Sequence, residues 1–358
     1  MTFDAVGEIF QRQYHEGKFY GAQLVVRHHG EIVVDEIIGV TDRRTRRLVT
    51  TDTPFLCFSV AKPFTAMCVH KLIEEGRVDL DARVADYWPE FGCKGKETAT
   101  IRHVFLHQAG IPSRGTYRML PYWPNWERLT TMLANVDAQF EPGTRTSYHG
   151  LNFGFILGEV VRRVTGQSFE AYLREQFLDP LELKNTYMGL PGHRRKDASY
   201  AYCHHTPQKR VALTFRIPAM RSAVVPAAGL NGTARDIARY FQMLVNSGTL
   251  EGREYLKPET IEKATSLGND DPRNRWGYGF MIGGINKPGF PIGNGMGDAS
   301  SLTTFGHFGQ NSSMAWADSQ HQVVAVMTTN IILSAQDTAQ RFQEVSNAVW
   351  ASIGVLPA

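Results

Sequence analysis

The chain has 358 residues, of which 42% are hydrophobic and 20% charged, a composition typical of a soluble globular protein with a sizeable core. Its formal net charge of +3 is too small to indicate a nucleic-acid partner, and no apolar run is long enough to predict a membrane span. The N-terminal stretch contains Asp4 and Glu8 and lacks the apolar run of a signal peptide, and the four cysteines form no CxxC motif. These features together predict a cytoplasmic protein.

The N-terminal part is predicted to contain a helix, a hairpin and a second helix. Apolar residues recur at helical spacing over residues 2–16. Two β-branched runs then surround His29-Gly30, a dipeptide that favours a tight turn, and this pattern predicts a β-hairpin. The second helix is expected to run from Ser59 to about Glu75, because a glycine follows that residue.

The middle of the chain is predicted to be helical and the C-terminal part to be rich in strands. From about residue 78 to residue 200, the clearest helices are IRHVFLHQAG and LNFGFILGEVVRRVTG. After residue 211 the chain continues with a helix, several short β-rich runs and a final amphipathic helix, which read RDIARYFQMLVNSG, WGYGFMIGG, LTTFGHFG, SMAWAD, QVVAVMTTN and AQDTAQRFQEVSNAVWASIG.

This order of elements predicts an α+β fold, an α/β-α sandwich. Consecutive C-terminal strands with short links favour an antiparallel meander, and the N-terminal hairpin would join the same sheet. The N- and C-terminal helices would cover that sheet. We therefore expect residues 1–80 and 211–358 to form a sheet subdomain and residues 81–210 to form an inserted all-helical subdomain, within one compact unit.

A lysine stands in an almost wholly apolar segment, FLCFSVAKPFTAMCVH. Ser59 and Lys62 are three residues apart, so a helix would place them on one face, about 5 to 6 Å apart. Pro63 fits only the first turn of a helix, which puts the serine hydroxyl near the positive helix end. Burial lowers the pKa of a lysine, and a neutral amine can take the proton of a serine. The pair indicates nucleophilic catalysis; a lysine that snorkels to the surface is the structural alternative.

Two further segments offer groups for the same chemistry. Tyr148 lies in the connector before a long apolar helix, where its phenol could relay protons or accept the serine proton. The structural alternative is a half-buried tyrosine whose hydroxyl caps a neighbouring group. The segment TTFGHFGQ reads as a strand followed by a turn, whose backbone N–H groups could complete an oxyanion hole. Gly309 in this segment would permit the close approach of a ligand.

With these residues in their segments, the chain resembles the serine β-lactamase and penicillin-binding-protein superfamily, on its class C side. That side includes family VIII carboxylesterases, D-aminopeptidases, D-Ala-D-Ala carboxypeptidases and some biosynthetic acyltransferases. The resemblance implies that Ser59 is the nucleophile, Lys62 the base and Tyr148 the tyrosine of the second motif. It covers nearly the whole chain through FSVAKPFTA, IRHVFLHQAGIP, EPGTRTSYHGLNFGFILGEVVRRVTG, AAGLNGTARDIARYFQMLVNSG, RWGYGF and FGHFG.

The resemblance also assigns the third motif. His307-Phe308-Gly309 stands where the family has Lys-Thr-Gly or His-Thr-Gly. These residues are expected to contact substrate, and the backbone N–H groups of Ser59 and Gln310 are expected to form the oxyanion hole.

The chain departs from the lactam-hydrolysing pattern in two motifs. Tyr148-His149-Gly150 replaces Tyr-x-Asn, so an amide that binds a peptide-like side chain is lost. The third motif lacks both the lysine that can bind a substrate carboxylate and the hydroxyl at Phe308. We therefore expect ester cleavage or acyl transfer above lactam or peptide cleavage. His307 is expected to donate a hydrogen bond to substrate or to Tyr148, without acting as a base.

The sequence thus predicts a serine hydrolase that cleaves small-molecule esters through an acyl-enzyme on Ser59, with no metal and no organic cofactor. The alternatives are an acyltransferase, a β-lactamase or D-aminopeptidase-type amide hydrolase, and an inactive binding module. Tyr122 and Trp123 either pack against the helical block or form a lid over an apolar acyl pocket. Cys203 and the two histidines after it lack the ligand spacing of a metal site. Nothing in the sequence predicts an oligomeric state.

Overall fold

The structure is a computed structural model that describes residues 2–112, 116–203, 206–269, 275–284 and 293–357. The α-helices in this part of the chain are α1 (Asp4–His15), α2 (Ala61–Glu74), α3 (Val84–Tyr87), α4 (Ile101–Phe105), α5 (Trp126–Ala134), α6 (Asn152–Thr165), α7 (Phe169–Leu173), α8 (Thr206–Thr214), α9 (Pro218–Ser222), α10 (Ala234–Val245), α11 (Pro258–Thr265) and α12 (Ala335–Ser352). The strands are β1 (Gly21–His28), β2 (Glu31–Gly39), β3 (Phe55–Phe58), β4 (Tyr187–Met188), β5 (Tyr202–Cys203), β6 (Leu230–Gly232), β7 (Thr249–Leu250), β8 (Arg253–Glu254), β9 (Met281–Ile282), β10 (Thr304–Gly309), β11 (Ser313–Asp318), β12 (Val323–Thr329) and β13 (Ile331–Ile332).

The main sheet joins both ends of the chain. Its six antiparallel strands lie in the order β2-β1-β12-β11-β10-β9. The hairpin β1–β2 turns at His29 and Gly30, whose φ values of 50° and 86° suit the right-handed twist of the flanking strands. Strand β1 then pairs along its length with β12, from Ala22 opposite Thr329 to His28 opposite Val323. The predicted hairpin and the predicted C-terminal meander are both confirmed.

Side chains that alternate along the strands fill both faces of this sheet. Leu24 and Val26 of β1 pack in a cluster with α1 and α12, whereas Val25 between them packs in the other cluster, with α2 and α10. A strand presents successive side chains to opposite faces, so two buried faces require apolar residues at nearly every position. The α+β sandwich is therefore confirmed, with the terminal helices on one face.

The long apolar segment before residue 166 forms α6, as predicted, and its first ten residues are buried. Gly154 of this helix lies so close to the backbone of Ala227 that a Cβ would overlap it. Strands β4 and β5 lie within the stretch expected to be helical. No helix within the described residues is long and apolar enough to cross a bilayer.

A second sheet was not predicted from the sequence. Its strands β3, β6 and β4 are antiparallel, and the pairing of β3 with β6 shifts register between Leu56 and Phe58. Helix α2 begins at Ala61, two residues later than expected. Ser59 therefore lies in the turn between strand β3 and helix α2, held by a sheet on one side and a buried helix on the other.

Candidate active site

The turn that carries Ser59 has an unusual backbone. Phe58, directly before it, has a φ of 47°, in the left-handed region that a bulky side chain seldom adopts. The amide of Val60 donates to the carbonyl oxygen of Cys57 at 3.2 Å, and the amide of Lys62 donates to that of Ser59 at 3.0 Å. Such backbone conformations persist only where the surrounding structure holds them, and they concentrate at functional sites.

Lys62 lies in the first turn of α2 with its side chain only 1% exposed. Its Nζ is 3.1 Å from Ser59 Oγ and donates to the carbonyl oxygen of Ala227 at 3.2 Å. Desolvation by burial lowers the pKa of this amine well below its ordinary value. The amine does not reach the surface, so the snorkelling alternative is wrong.

Tyr148 also lies within hydrogen-bond distance of Ser59. Its hydroxyl is 3.0 Å from Ser59 Oγ, and the Nζ of Lys62 lies 4.8 Å from the centroid of its ring. The ring stacks on Trp276, with centroids 5.5 Å apart and planes 11° apart. The side chain is 42% exposed, so the phenol borders solvent while the amine does not. Ser59 Oγ is thus within hydrogen-bond reach of two proton-exchanging groups.

His107 holds the segment that carries Tyr148. Its carbonyl oxygen accepts from the amide of Ser147 at 2.9 Å, and its Nδ1 accepts from the amide of His149 at 3.2 Å. Its ring also meets that of Tyr148 edge-on, with centroids 4.8 Å apart. The residues before and after the tyrosine are therefore fixed to one buried histidine.

From the segment IRHVFLHQAG the sequence favoured a structural hydrogen bond over a chemical role for His107, and it did not reveal that the partners are the two neighbours of Tyr148. Burial and neighbouring His149 hold the pKa of His107 well below 6.5, so its ring stays neutral and Nδ1 keeps a lone pair. His149 is itself bonded on both ring nitrogens: Nδ1 lies 2.5 Å from the carbonyl oxygen of Ser147, and Nε2 accepts from the amide of Ile111 at 3.0 Å.

The third motif packs tightly against the nucleophile turn. A Cβ on Gly309 would overlap the carbonyl oxygen of Cys57, two residues before Ser59. The same oxygen accepts from the hydroxyl of Ser313 at 2.8 Å. Glycine at 309 therefore allows the end of β10 to touch the turn. Within the described residues, no acceptor takes the N–H of Ser59 or of Gln310.

The C-terminal helix braces the turn after β10. Gln310 and Asn311 both have positive φ values, 33° and 58°. Buried Arg341 of α12 donates to the carbonyl oxygen of Asn311 at 2.7 Å, and Thr338 donates to it at 3.4 Å. The backbone that presents the Gln310 amide is therefore fixed from the far side of the sheet, which the sequence did not suggest.

The structure separates the two side chains of the third motif. His307 is 2% exposed and faces the catalytic cluster, with its ring centroid 6.3 Å from that of Tyr148 and 5.9 Å from that of Trp276. Phe308 packs on the other face of the sheet, where its ring stacks on Phe342 at 5.8 Å. The side chain of Phe308 is therefore not brought to Ser59, because neighbouring residues of a strand point to opposite faces.

Tyr122 and Trp123 are not part of the cluster around Ser59. The ring of Tyr122 lies 4.2 Å from the guanidinium of Arg128. Trp123 is buried, packs on Phe215 at 5.8 Å, and Phe215 in turn packs on Phe58 at 5.6 Å. Trp123 also lines a cavity of about 500 Å³ whose other lining side chains include Trp126, Ala219, Ala223 and Val224.

The described part of the chain contains no obvious set of metal ligands. No group of three or more His, Cys, Asp or Glu side chains there is placed to hold an ion. Cys203 is described, whereas His204 and His205 lie outside the described residues.

Comparison with known proteins identifies the family of this chain. Residues 6–349 match the Beta-lactamase family. The chain belongs to that family. The esterase/β-lactamase LipL of Mycobacterium tuberculosis is 28% identical to this Beta-lactamase family member, over 93% of this chain and 82% of LipL.

Two solved structures share the fold over nearly their whole length. A penicillin-binding protein homologue from Caulobacter crescentus has a TM-score of 0.82 at 29% identity, covering 98% of this chain and 97% of that one. A family VIII carboxylesterase has a TM-score of 0.80 at 29% identity, covering 95% and 97%. The Beta-lactamase family member described here is accordingly a serine hydrolase.

Proposed function

We propose that this protein is a carboxylesterase that cleaves small esters through an acyl-enzyme on Ser59. One observation carries the proposal: Ser59 Oγ lies 3.1 Å from a buried amine and 3.0 Å from a phenol. The amine of Lys62 is desolvated and has a lowered pKa, which is the condition for a lysine to act as a base near neutral pH. The esterase relatives support an ester substrate.

The proposed reaction uses only groups of this chain, the ester and water. Ser59 Oγ forms a bond to the ester carbonyl carbon while its proton passes to Lys62, directly or through Tyr148. The resulting oxyanion would be stabilised by the free N–H groups of Ser59 and Gln310. The alcohol leaves with the proton from Lys62. Water then attacks the acyl carbon while Lys62 takes a proton from it. The bond to Ser59 Oγ breaks, Ser59 regains that proton and the acid is released, and no step requires a metal or an organic cofactor.

We also propose that the two expected subdomains share this site within one catalytic unit. Residues 1–80 and 211–358 would supply the nucleophile turn and the strand of the third motif, and residues 81–210 would supply Tyr148. The four cysteines of the chain are free thiols, which is consistent with the cytoplasmic location that we propose.

A substrate panel tests the proposed activity. The wild type and Ser59→Ala are assayed on p-nitrophenyl esters of increasing chain length and on a chromogenic cephalosporin. The wild type should cleave short esters, and Ser59→Ala should lose about 10³-fold or more of that activity. Strong cephalosporin turnover with weak esterase activity would show that the protein is a β-lactamase rather than an esterase. Failure of a phosphonate probe to add mass at Ser59 would favour an inactive binding module.

Hydrolysis and transfer differ only in what attacks the acyl-enzyme. Tyr148 is 42% exposed, so an acceptor other than water has access to one side of the nucleophile. Product ratios are measured with added alcohols or amines. Hydrolysis predicts that acid dominates; if low concentrations of acceptor outcompete water, the protein is better described as an acyltransferase.

We propose that the acyl chain extends towards Trp123, the residue linked to the nucleophile turn through Phe215 and Phe58. Trp123→Ala should change the dependence of KM on acyl-chain length. Tyr122→Ala is the matched control, because Tyr122 does not line the cavity. An unchanged preference in Trp123→Ala would count against this acyl pocket and would leave Trp123 as a core residue.

A further inference from the structure

His307 is the one side chain of the third motif that faces the catalytic cluster. It lies on β10, is 2% exposed and is enclosed by the rings of Tyr148 and Trp276. The buried amine of Lys62 contributes to lowering the pKa of the His307 ring. Whatever His307 binds is therefore held beside Ser59, in surroundings from which water is largely excluded.

The hydrogen bonds of His307 define which nitrogen carries the proton. Nδ1 lies 2.8 Å from the carbonyl oxygen of Phe308. A carbonyl oxygen can only accept, so Nδ1 carries the hydrogen and donates it. Desolvation and the neighbouring Lys62 lower the pKa of His307 to about 3, so the ring is neutral near pH 7. In this tautomer Nε2 has a lone pair and no hydrogen.

This lone pair has no partner among the residues that the structure describes. Nε2 of His307 is buried and accepts no hydrogen bond from any group in that part of the chain. A buried polar atom without a partner is costly, and a bound ligand is one way to supply the missing hydrogen bond. The sequence led us to expect that His307 donates to the substrate or to Tyr148. The structure corrects that expectation, because the only N–H of the ring is already bonded to Phe308.

We propose that Nε2 of His307 accepts a hydrogen bond from the substrate, which therefore carries a hydroxyl or amide N–H close to the scissile ester carbonyl. This inference rests on the proposed esterase function and narrows its substrate class. A lysine at this position binds a carboxylate, whereas a neutral histidine that offers a ligand only a lone pair disfavours one. Hydroxy esters and amide-bearing esters are recognised, and esters with a free carboxylate at that place are not.

Matched ester pairs test this preference. On the acyl side, p-nitrophenyl 3-hydroxybutyrate is compared with the isosteric 3-methylbutyrate; on the alcohol side, 2-hydroxyethyl butyrate is compared with propyl butyrate. The wild type should favour the hydroxyl-bearing member of at least one pair about 10-fold in kcat/KM, the effect of one buried hydrogen bond. The pair that responds identifies whether the acid or the alcohol carries the donor.

Variants separate recognition from chemistry. His307→Phe keeps a ring but removes the acceptor, and it should reduce the preference to about 1 while Ser59 still reacts with a phosphonate probe. His307→Gln keeps an acceptor oxygen and should retain part of the preference, which also provides a readout if His307→Phe does not fold. His15→Phe, an exposed position at the end of α1, is the matched control and should leave the ratio unchanged.

Three outcomes would overturn the inference. The first is a ratio near 1 for both pairs in a wild type that cleaves esters and labels at Ser59. The second is a preference that survives in His307→Phe. The third is an equal slowing of all esters in His307→Phe, which would mean that Nε2 holds the attacking water. A wild type that neither labels nor cleaves any ester would instead refute the proposed function itself.

Discussion

Lys62 and Lys96 are both withdrawn from solvent, at 1% and 0% exposure, but they lie in different surroundings. Lys96, in the loop before α4, donates to the carbonyl oxygens of Cys93 and Val136, both at 2.7 Å. Nearby Glu97 and Asp137 also oppose the lowering of its pKa. Among the described residues, Lys62 has one carbonyl partner and no such carboxylates, and desolvation lowers its pKa well below the ordinary value.

Burial alone therefore does not turn a lysine into a base. An ammonium group can remain charged inside a protein when acceptors and negative charges compensate for the lost water. Where they do not, the group loses its proton, and the neutral amine then has a lone pair for a neighbouring hydroxyl. Lys96 therefore stabilises a loop, whereas Lys62 is poised to deprotonate Ser59.

The largest difference in rate is expected between the two variants in which one of these lysines is replaced by methionine. Lys62→Met should lower esterase kcat/KM by about 10³-fold or more, because the serine loses its base. Lys96→Met should leave the rate nearly unchanged. Initial rates on a p-nitrophenyl ester measure both. If Lys96→Met is equally inactive while still folded, the proposed contrast between the two lysines is wrong.

In thermal unfolding the order of the two variants should be reversed, with Lys96→Met losing more stability than Lys62→Met. Lys96→Met leaves two carbonyl oxygens without their donor and should lose about 1–3 kcal/mol of unfolding free energy. Lys62→Met removes a desolvated amine and should lose less, or gain. Circular dichroism melts check the order; a less stable Lys62→Met would show that the amine is not strained by burial.

Gly309→Ala tests the contact between the third motif and the nucleophile turn. The new Cβ would overlap the carbonyl oxygen of Cys57, so β10 must move away and take the Gln310 amide with it. Loss of one oxyanion donor typically costs about 10²- to 10³-fold in kcat. Gly30→Ala, at a turn glycine of the β1–β2 hairpin with open space around it, is the control for a generic glycine effect. A Gly309→Ala variant with the wild-type rate would contradict the proposed oxyanion hole.

A pair of variants at His107 tests how Tyr148 is held. His107→Leu removes the Nδ1 acceptor and places a branched side chain at a φ of 58°, so the tyrosine segment should shift and kcat should fall up to about 10²-fold. His107→Asn keeps an acceptor and tolerates that backbone, so it should recover much of the loss. The split between kcat and KM is the readout. Equal losses in both variants would mean that His107 serves the core alone.

The smallest effect is expected in the pH dependence of the rate and of stability, which reports the protonation state of Lys62. The base must be neutral, so kcat/KM should fall about tenfold per pH unit on the acid side of the lowered pKa of Lys62 and stay level above it. The unfolded chain keeps this lysine protonated up to its ordinary pKa of 10.5. Wild-type stability should therefore rise with pH between the two values, and any advantage of Lys62→Met should shrink over that range. A rate that stays low until pH 10 would indicate a charged Lys62.

Local patterns in the sequence determined the hairpin at His29-Gly30, helix α6 and the spacing of Ser59 and Lys62, because turn chemistry and side-chain period act over a few residues. The family resemblance assigned catalytic and substrate-binding roles to Tyr148 and the third motif. The sequence did not reveal the sheet β3-β6-β4 or the separation of His307 from Phe308 onto opposite faces.

Only the tertiary structure decided how distant segments meet. Tyr148 reaches Ser59 across 89 residues of chain, and Arg341 of the last helix fixes the turn that carries Gln310. The tautomer of His307 likewise depends on one carbonyl oxygen at 2.8 Å. Such contacts come from the packing of whole elements, and neither residue type nor spacing encodes them, because each side chain's partners are set by the surfaces that fold around it.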